Sequence, residues 1–79
     1  MKVKVRYFAV LRDAAGAPGE DVEGAFATAA DLWDELARRH VFPLGRSALR
    51  VSVNAAYAPW TTALADGDEV AFIPPVSGG

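Results

Sequence analysis

The stretch "TAADLWDELARRH", residues 28–40, predicts a helix with one apolar side. Thr28 is a favourable N-cap residue, and Asp31 follows three residues later in the capping-box position. Arginines and a histidine at the C-terminal end suit the helix dipole. Apolar side chains recur at spacings of three and four residues and form a single stripe: Ala29, Leu32, Trp33, Leu36 and Ala37. The helix therefore needs a second layer against which this stripe can be buried.

Two strands are predicted before the helix. Residues 2–10, "KVKVRYFAV", alternate between a charged face, on which Phe8 is the exception, and an apolar face formed by Val3, Val5, Tyr7 and Ala9. Residues 12–20, "RDAAGAPGE", predict a loop because of their glycines and proline. Residues 20–26, "EDVEGAF", predict a weaker strand. A strand, a glycine-containing loop and a second strand indicate a hairpin.

Three strands are predicted after the helix. Residues 49–54, "LRVSVN", alternate in the manner of a strand. Residues 57–60 predict a short edge strand, because Pro59 cannot donate a hydrogen bond to a central ladder. Residues 65–69, "ADGDE", predict a tight turn. The last strand, "EVAF", follows directly, with Val70 and Phe72 facing inward and Ala71 and Ile73 facing outward.

The order β-β-α-β-β-β predicts an α+β fold with one main helix packed on one face of a mixed sheet of about five strands. That arrangement suits a ubiquitin-like β-grasp, in which the first and last strands run parallel as neighbours. Phe8 and Ile73 then share the uncovered face, where they form a candidate docking patch. We assign residues 1–73 to the β-grasp domain and residues 74–79 to a flexible C-terminal tail.

Composition excludes many kinds of site. The chain has 79 residues, which allows one domain, and its net charge of −2 gives no reason to expect a nucleic-acid or membrane partner. It contains no cysteine, so disulfides, thiolate metal sites and cysteine nucleophiles are excluded. The only histidine, His40, is expected to cap the helix end rather than bind a metal. The N-terminal residues alternate in polarity, unlike a signal peptide, so the expected compartment is the cytoplasm.

An acidic cluster near the end of the chain, Asp66, Asp68 and Glu69, is a candidate cation site. Its spacing does not match a calcium-binding loop. A turn is the better interpretation, with Gly67 at positive φ and the aspartates accepting hydrogen bonds from nearby amides. We therefore predict no metal site.

The chain ends in "PPVSGG", residues 74–79, and the main-chain carboxylate is the remaining candidate for chemistry. A carboxylate resists nucleophiles until it is activated, for example as an acyl-adenylate formed inside another protein's closed site. Gly78 and Gly79 have no Cβ atoms, so a narrow channel could close around them. Pro74 and Pro75 hold the preceding segment extended and so reduce the entropy lost when the tail is inserted. Within this tail, an apolar contact is predicted for Val76 and a hydrogen bond for Ser77.

The segment "DGDEVAFIPPVSGG", residues 66–79, closely resembles the C-terminus of MoaD-type sulfur carriers, the small subunits of molybdopterin synthase. It resembles the related ThiS-type carriers more distantly. The resemblance extends to "VKVRYFAVLRD", residues 3–13, and to "VSVN", residues 51–54. It is weakest over residues 16–27 and 41–48.

This resemblance implies a function for the tail. An E1-like, MoeB-type enzyme adenylates the Gly79 carboxylate with ATP, and a sulfur donor converts the product to a thiocarboxylate. The tail then enters a MoaE-type large subunit, where the sulfur passes to cyclic pyranopterin monophosphate. The resemblance implies a heterotetramer in which the small subunit binds no cofactor tightly and has no catalytic side chain of its own. It also places four residues along the subunit interface: Phe8, Arg12, Tyr57 and Ile73.

Other functions remain open from the sequence. The same tail would serve a sulfur carrier for thiamin, tRNA thiolation or cysteine synthesis. It would also serve a ubiquitin-like protein modifier that is joined to other proteins by isopeptide bonds. A plain interaction domain with an inert tail is the remaining alternative.

Overall fold

The computed structural model describes residues 1–75, and its secondary structure follows the predicted order with two short helices added. The strands and helices are β1 (Lys2–Tyr7), α1 (Val10–Ala15), β2 (Gly19–Glu23), α2 (Ala29–Arg39), a short 3₁₀ helix (Arg46–Ala48), β3 (Arg50–Val53), β4 (Ala56–Ala58) and β5 (Glu69–Ile73). The five strands form a single sheet in the order β2-β1-β5-β3-β4.

The sheet is mixed, as predicted. β1 and β5 are parallel neighbours, with Val5 opposite Val70 and Tyr7 opposite Phe72. The other three pairings, β1 with β2, β3 with β4 and β3 with β5, are antiparallel. β5 is therefore the central strand, and the chain leaves the middle of the sheet as it continues into the tail.

The main helix, α2, has the predicted capping box. The Thr28 hydroxyl accepts a hydrogen bond from the Asp31 amide, and the Asp31 carboxylate accepts one from the Thr28 amide. The predicted stripe is buried except at Ala37, which is exposed. At about 100° per residue, Ala37 lies roughly 80° around the helix from Ala29, at the edge of the stripe. The prediction of an inward Ala37 was therefore wrong.

The structure differs most from the sequence prediction in the segment between β1 and β2. β1 ends at Tyr7 rather than at residue 10, and Ala9 is exposed rather than inward. A six-residue helix, α1, replaces the first part of the predicted loop, and Leu11 on this helix is fully buried. Residues 8–11 are mostly apolar, so alternation by itself could not show where the strand ends. The predicted antiparallel pairing of β1 with β2 is confirmed, although a helix lies within the connection.

One apolar core lies between α2 and the inner face of the sheet. Its buried members come from every layer: Val3, Val5, Tyr7, Leu11, Val22, Phe26, Ala29, Leu32, Trp33, Leu36, Leu49, Val51, Leu64, Val70 and Phe72. Ala71, on the outer face of β5, is also buried, since this central position lies in register with Arg6 and Ser52. No helix within residues 1–75 is long and apolar enough to cross a membrane.

The predicted turn before β5 is confirmed. Gly67 has a φ of 89°, and the Asp68 carboxylate accepts a hydrogen bond of 2.8 Å from the Ala65 amide. Asp66 accepts one of 2.7 Å from the Lys2 amide, which ties the turn to the start of β1. Asp66 and Asp68 therefore bond to backbone amides, and Glu69 pairs with Arg6. No group of three or more His, Asp or Glu in the described part of the chain could hold a metal ion.

The edge strand β4 covers residues 56–58 rather than 57–60. Asn54 and Ala55 both have positive φ, at 52° and 70°, which turns the chain tightly and lets pairing with β3 begin at Ala56. Pro59 lies just beyond the strand. The prediction of a short edge strand is confirmed, and its bounds are shifted by the turn.

Candidate functional site

The base of the tail lies between two grooves. β5 ends at Ile73, after which Pro74 is half-buried and Pro75 is exposed. These three residues line both grooves. Residues 76–79 lie outside the described residues, so the roles assigned to Val76, Ser77, Gly78 and Gly79 stay predictions.

The first groove, here called the apolar groove, has a volume of about 540 Å³. Its walls are Phe8, Ala9, Val10, Pro43, Leu44, Ile73, Pro74 and Pro75. None of these residues is charged, and the Phe8 side chain is 41% exposed. The structure thus places Phe8 and Ile73 together beside the tail, in the arrangement that the sequence predicted for a docking patch. An exposed aromatic side chain beside aliphatic ones is typical of a protein interface.

The position of Phe8 is set by the backbone that follows it. Ala9 has φ 51° and ψ −125°, an unfavourable combination for a residue with a Cβ, and it redirects the chain from β1 into α1. The Leu11 amide then donates a hydrogen bond of 3.1 Å to the Phe8 carbonyl, and the buried Leu11 side chain fixes α1 against the core. Phe8 therefore sits on a short, tightly anchored bend rather than on a mobile loop.

The second groove, here called the arginine groove, lies on the other side of the tail base and has a volume of about 600 Å³. It is lined by Ser47, Ala48, Leu49, Arg50, Tyr57, Ile73, Pro74 and Pro75. The Tyr57 side chain is 67% exposed, and the Arg50 guanidinium lies 5.5 Å from the centre of its ring. That distance is typical of a cation–π contact.

The four predicted interface residues do not all line the same groove. Phe8 and Ile73 line the apolar groove, while Tyr57 and Ile73 line the arginine groove. Arg12 is exposed on α1 but lines neither groove. The roles of these residues at an interface remain predictions.

Sequence reasoning missed several residues that line the grooves. Val10 falls within the first predicted strand, and residues 43–44 lie after the helix in a segment for which the sequence predicts no strand or helix. Arg50 could have been found, since the alternation of the third predicted strand places it on the same outward face as Ile73. The structure pairs these two residues directly across β3 and β5.

A polar cluster joins β1, β2 and the end of α2. The Tyr7 hydroxyl donates a hydrogen bond of 2.7 Å to Oε2 of Glu20, and Nε2 of His40 lies 2.8 Å from the same oxygen. Burial raises the pKa of Glu20 by itself, but the hydrogen bonds from Tyr7 and His40 outweigh it and leave the pKa of this carboxyl below its usual value. Burial, reinforced by Glu20, raises the pKa of the Tyr7 hydroxyl, so it stays a donor.

This cluster explains the position of the only histidine. His40 is the C-cap residue of α2, as predicted, and its backbone amide bonds to the Leu36 carbonyl. Its ring, however, pairs with Glu20 rather than with the helix carbonyls. The three side chains connect α2 to the β1–β2 pair. Each of them is engaged in a hydrogen bond within the cluster.

The family model described as the ThiS family matches residues 5–79 of the chain. The chain belongs to the ThiS family. Within this family its curated relatives are named molybdopterin synthase sulfur carrier subunits. The one from Mycobacterium tuberculosis is 42% identical over 100% of this chain and 99% of the relative. The predicted resemblance is therefore confirmed.

Solved structures agree with the ubiquitin-like β-grasp assignment of this ThiS-family chain. The small archaeal modifier protein SAMP1 of Haloferax volcanii superposes with a TM-score of 0.84 at 31% identity and covers all of both chains. A Pyrococcus furiosus protein assigned as subunit 1 of molybdopterin converting factor gives a TM-score of 0.80 at 38% identity, covering 96% of this chain and 99% of that one. The predicted fold is thus confirmed.

Proposed function

We propose that this protein is the sulfur carrier subunit of a molybdopterin synthase and that its Gly79 carboxylate holds the sulfur as a thiocarboxylate. The observation that carries this proposal is the extent of the family match, which continues through Gly79. Relatives that match over 98–100% of the chain are named molybdopterin synthase sulfur carrier subunits. The alternatives in thiamin, tRNA thiolation and cysteine synthesis are less well supported, because none of these relatives is named for them.

The proposed chemistry uses the main chain only. An E1-like, MoeB-type enzyme joins the Gly79 carboxylate to the α-phosphate of ATP, and diphosphate leaves. A sulfide-level sulfur nucleophile attacks the activated carbonyl carbon, and AMP leaves with one of the former carboxylate oxygens, so that sulfur takes the place of that oxygen. The chain has no cysteine, so no side-chain thiol of its own competes for the activated carbonyl. ATP belongs to the activating enzyme in this scheme, and the carrier binds no cofactor tightly.

The proposed partner is a MoaE-type large subunit, with two carriers flanking a dimer of large subunits. A protein that encloses the tail must pass the two grooves on either side of Pro74 and Pro75, since both grooves are lined by these residues. Phe8, Tyr57 and Ile73 then contact the partner there, with Arg12 nearby on α1. The acid–base groups come from the partner. Because ATP and an activating enzyme are required, we place the protein in the cytoplasm.

The test is the intact mass of the protein after incubation with the adenylating enzyme encoded in its own genome, ATP and a sulfur donor. Exchange of one oxygen for sulfur at the activated acyl carbon raises the mass by about 16 Da. A reaction without ATP is the control. An unchanged mass, under conditions where the same enzyme modifies a curated relative, would refute the proposal.

A second candidate function is a ubiquitin-like protein modifier, which the close superposition with a small archaeal modifier protein favours. It differs from the first in the final acceptor of the Gly79 acyl group, which is a lysine amine. The chain has no Lys or Arg after Arg50, so total protein from the native cells is digested with a protease that cleaves after small residues such as Ser77. This digestion should then release lysine peptides that carry a Gly-Gly remnant and that disappear when Gly79 is deleted. Sulfur transfer without such peptides supports the carrier function alone.

A further inference from the structure

The charges of the chain are unevenly distributed. All ten of its carboxylate side chains lie before residue 36 or after residue 65. The stretch between contains Arg38, Arg39, Arg46 and Arg50 and no acidic residue. The first two arginines pair with Glu35 on α2. No carboxylate of residues 1–75 lies within 4.0 Å of either of the other two, so a local positive charge is left near the tail.

These two arginines are held in place by aromatic rings instead of by acids. The Arg50 guanidinium lies 5.5 Å from the centre of the Tyr57 ring, and that of Arg46 lies 5.8 Å from the centre of the Trp60 ring. Each contact is within the range of a cation–π interaction, which orients the guanidinium while its N–H groups stay free to donate. Arg50 and Tyr57 line both the arginine groove and a smaller neighbouring groove that reaches Trp60.

The position of Arg50 links this charge to the tail. Arg50 lies opposite Ile73 across β3 and β5, and the arginine groove continues along Pro74 and Pro75. Among residues 1–75, no charged residue lines the apolar groove on the other side of the same three residues. The two grooves beside the tail are therefore suited to different partner groups. The apolar groove suits an apolar side chain, and the arginine groove suits an anion.

We propose that Arg50, held on the Tyr57 ring, is a specificity residue that binds a carboxylate of an acidic segment on the large subunit. The proposal rests on the proposed function and deepens it, since it names the chemistry by which the partner is recognised. The planar guanidinium of Arg50, which has no acidic neighbour within residues 1–75, matches a carboxylate in two parallel hydrogen bonds. Complementary charge at this position also favours the correct docking orientation and suppresses partners that present a cation there.

The test measures binding of the full chain to the large subunit from the same organism, by titration at several salt concentrations. Arg50→Gln should weaken binding about five- to fiftyfold at low salt and should reduce the salt dependence, because an ion pair is screened by added salt. Arg38→Gln is the matched control, since it removes the same charge from α2, away from the grooves. Tyr57→Ala should reproduce part of the loss, because it removes the ring against which the Arg50 guanidinium lies.

Other outcomes would overturn the proposal. Equal effects of Arg50→Gln and Arg38→Gln would show that only net charge matters. Tighter binding by Arg50→Gln would show that the chain's own Gly79 carboxylate occupies the groove in the free protein. Loss of self-association in sedimentation velocity, with unchanged binding to the large subunit, would assign the groove to a second copy of the chain. Failure of the wild-type protein both to bind the large subunit and to gain sulfur would instead refute the proposed function, and this inference with it.

Discussion

Replacing Tyr7 by phenylalanine removes a single oxygen from the interior and tests the polar cluster directly. The ring stays in place, packed 5.7 Å from Phe42 and 5.9 Å from His40 between ring centres. What is lost is the 2.7 Å hydrogen bond to Glu20, whose acceptor is charged. Such bonds contribute about 1.5–3 kcal/mol, and the Glu20 side chain is 30% exposed, so water can replace part of the bond. We expect a loss of about 1.5 kcal/mol, or about 6–12 °C in Tm for a domain of this size.

The same variant should lose less stability in acid than the wild-type protein does. The pKa of Glu20 is lowered in the folded state, so its contribution is fully present above the unfolded pKa and is lost as the pH falls through the folded pKa. The Tyr7 hydroxyl supplies one of the hydrogen bonds that lower this pKa. As the pH falls through the folded pKa of Glu20, the difference between Tyr7→Phe and wild type should therefore fall towards about half its value at pH 7, since a neutral acceptor gives a weaker bond.

The assay is urea denaturation at a series of pH values, followed by tryptophan fluorescence. Tyr57→Phe is the matched control, because it removes the same oxygen from an exposed ring that makes no side-chain hydrogen bond within the described residues. The control should match wild type at every pH. A Tyr7→Phe variant as stable as wild type at pH 7, or a destabilisation that does not shrink in acid, would contradict the role assigned to the cluster.

Three further substitutions test the backbone and the apolar groove. Ala55→Gly should stabilise the protein by about 0.5–1 kcal/mol in the same denaturation assay, since Ala55 has a φ of 70° that glycine adopts without a Cβ clash. Gly19→Ala should destabilise it by about 1–3 kcal/mol, because the new Cβ would lie 2.5 Å from the Val5 carbonyl oxygen. Phe8→Ala should weaken binding of the large subunit by about 1–3 kcal/mol in a calorimetric titration, because it removes the aromatic side chain of the groove.

Each of these substitutions has a control in the same chain. Ala56→Gly changes the next residue, in a strand, and should destabilise rather than stabilise. Gly45→Ala adds a Cβ with nothing within 4 Å, so its stability should stay within about 0.5 kcal/mol of wild type. Val41→Ala trims a side chain that is 93% exposed and should leave binding unchanged. A control that behaves like its paired variant would show that the position named in the prediction has no special role.

The sheet and the main helix could be predicted because the sequence patterns that indicate them are local and repeat along the chain. The capping box at Thr28 and the apolar stripe on α2 fix the helix, and alternation fixes the inward faces of β1 and β5. The parallel pairing of the first and last strands in the sequence, β1 and β5, was predicted from the fold class alone. This prediction did not depend on the interpretation of any single residue.

The bend at Ala9 and the helix α1 could not be predicted in this way. The segment from Phe8 to Leu11 is apolar enough to continue a strand, and an alanine gives no sign that it will adopt a positive φ. That conformation is set by tertiary packing, since the burial of Leu11 holds the bend in place. The apolar groove depends on this bend, and so its full lining was visible only in the structure.

The pairing of Arg50 with Tyr57 was missed for a different reason. Alternation places the Arg50 side chain on the outer face, but the aromatic ring that orients it lies on β4, whose start is shifted by the turn at Asn54 and Ala55. Pro43 and Leu44 line the apolar groove. They could not be predicted there, because the segment after α2 has no periodic pattern of apolar residues.

The most direct test of the proposed function is a chain with one alanine added after Gly79, compared with one in which the alanine is added at the N-terminus. Both should fold alike, because the addition lies beyond the core. With the adenylating enzyme, ATP, a sulfur donor, the large subunit and cyclic pyranopterin monophosphate, the N-terminal variant should form molybdopterin at the wild-type rate. The C-terminal variant should gain no sulfur mass and form no product. Sulfur transfer by the C-terminally extended chain would contradict the claim that the Gly79 carboxylate is the group that carries it.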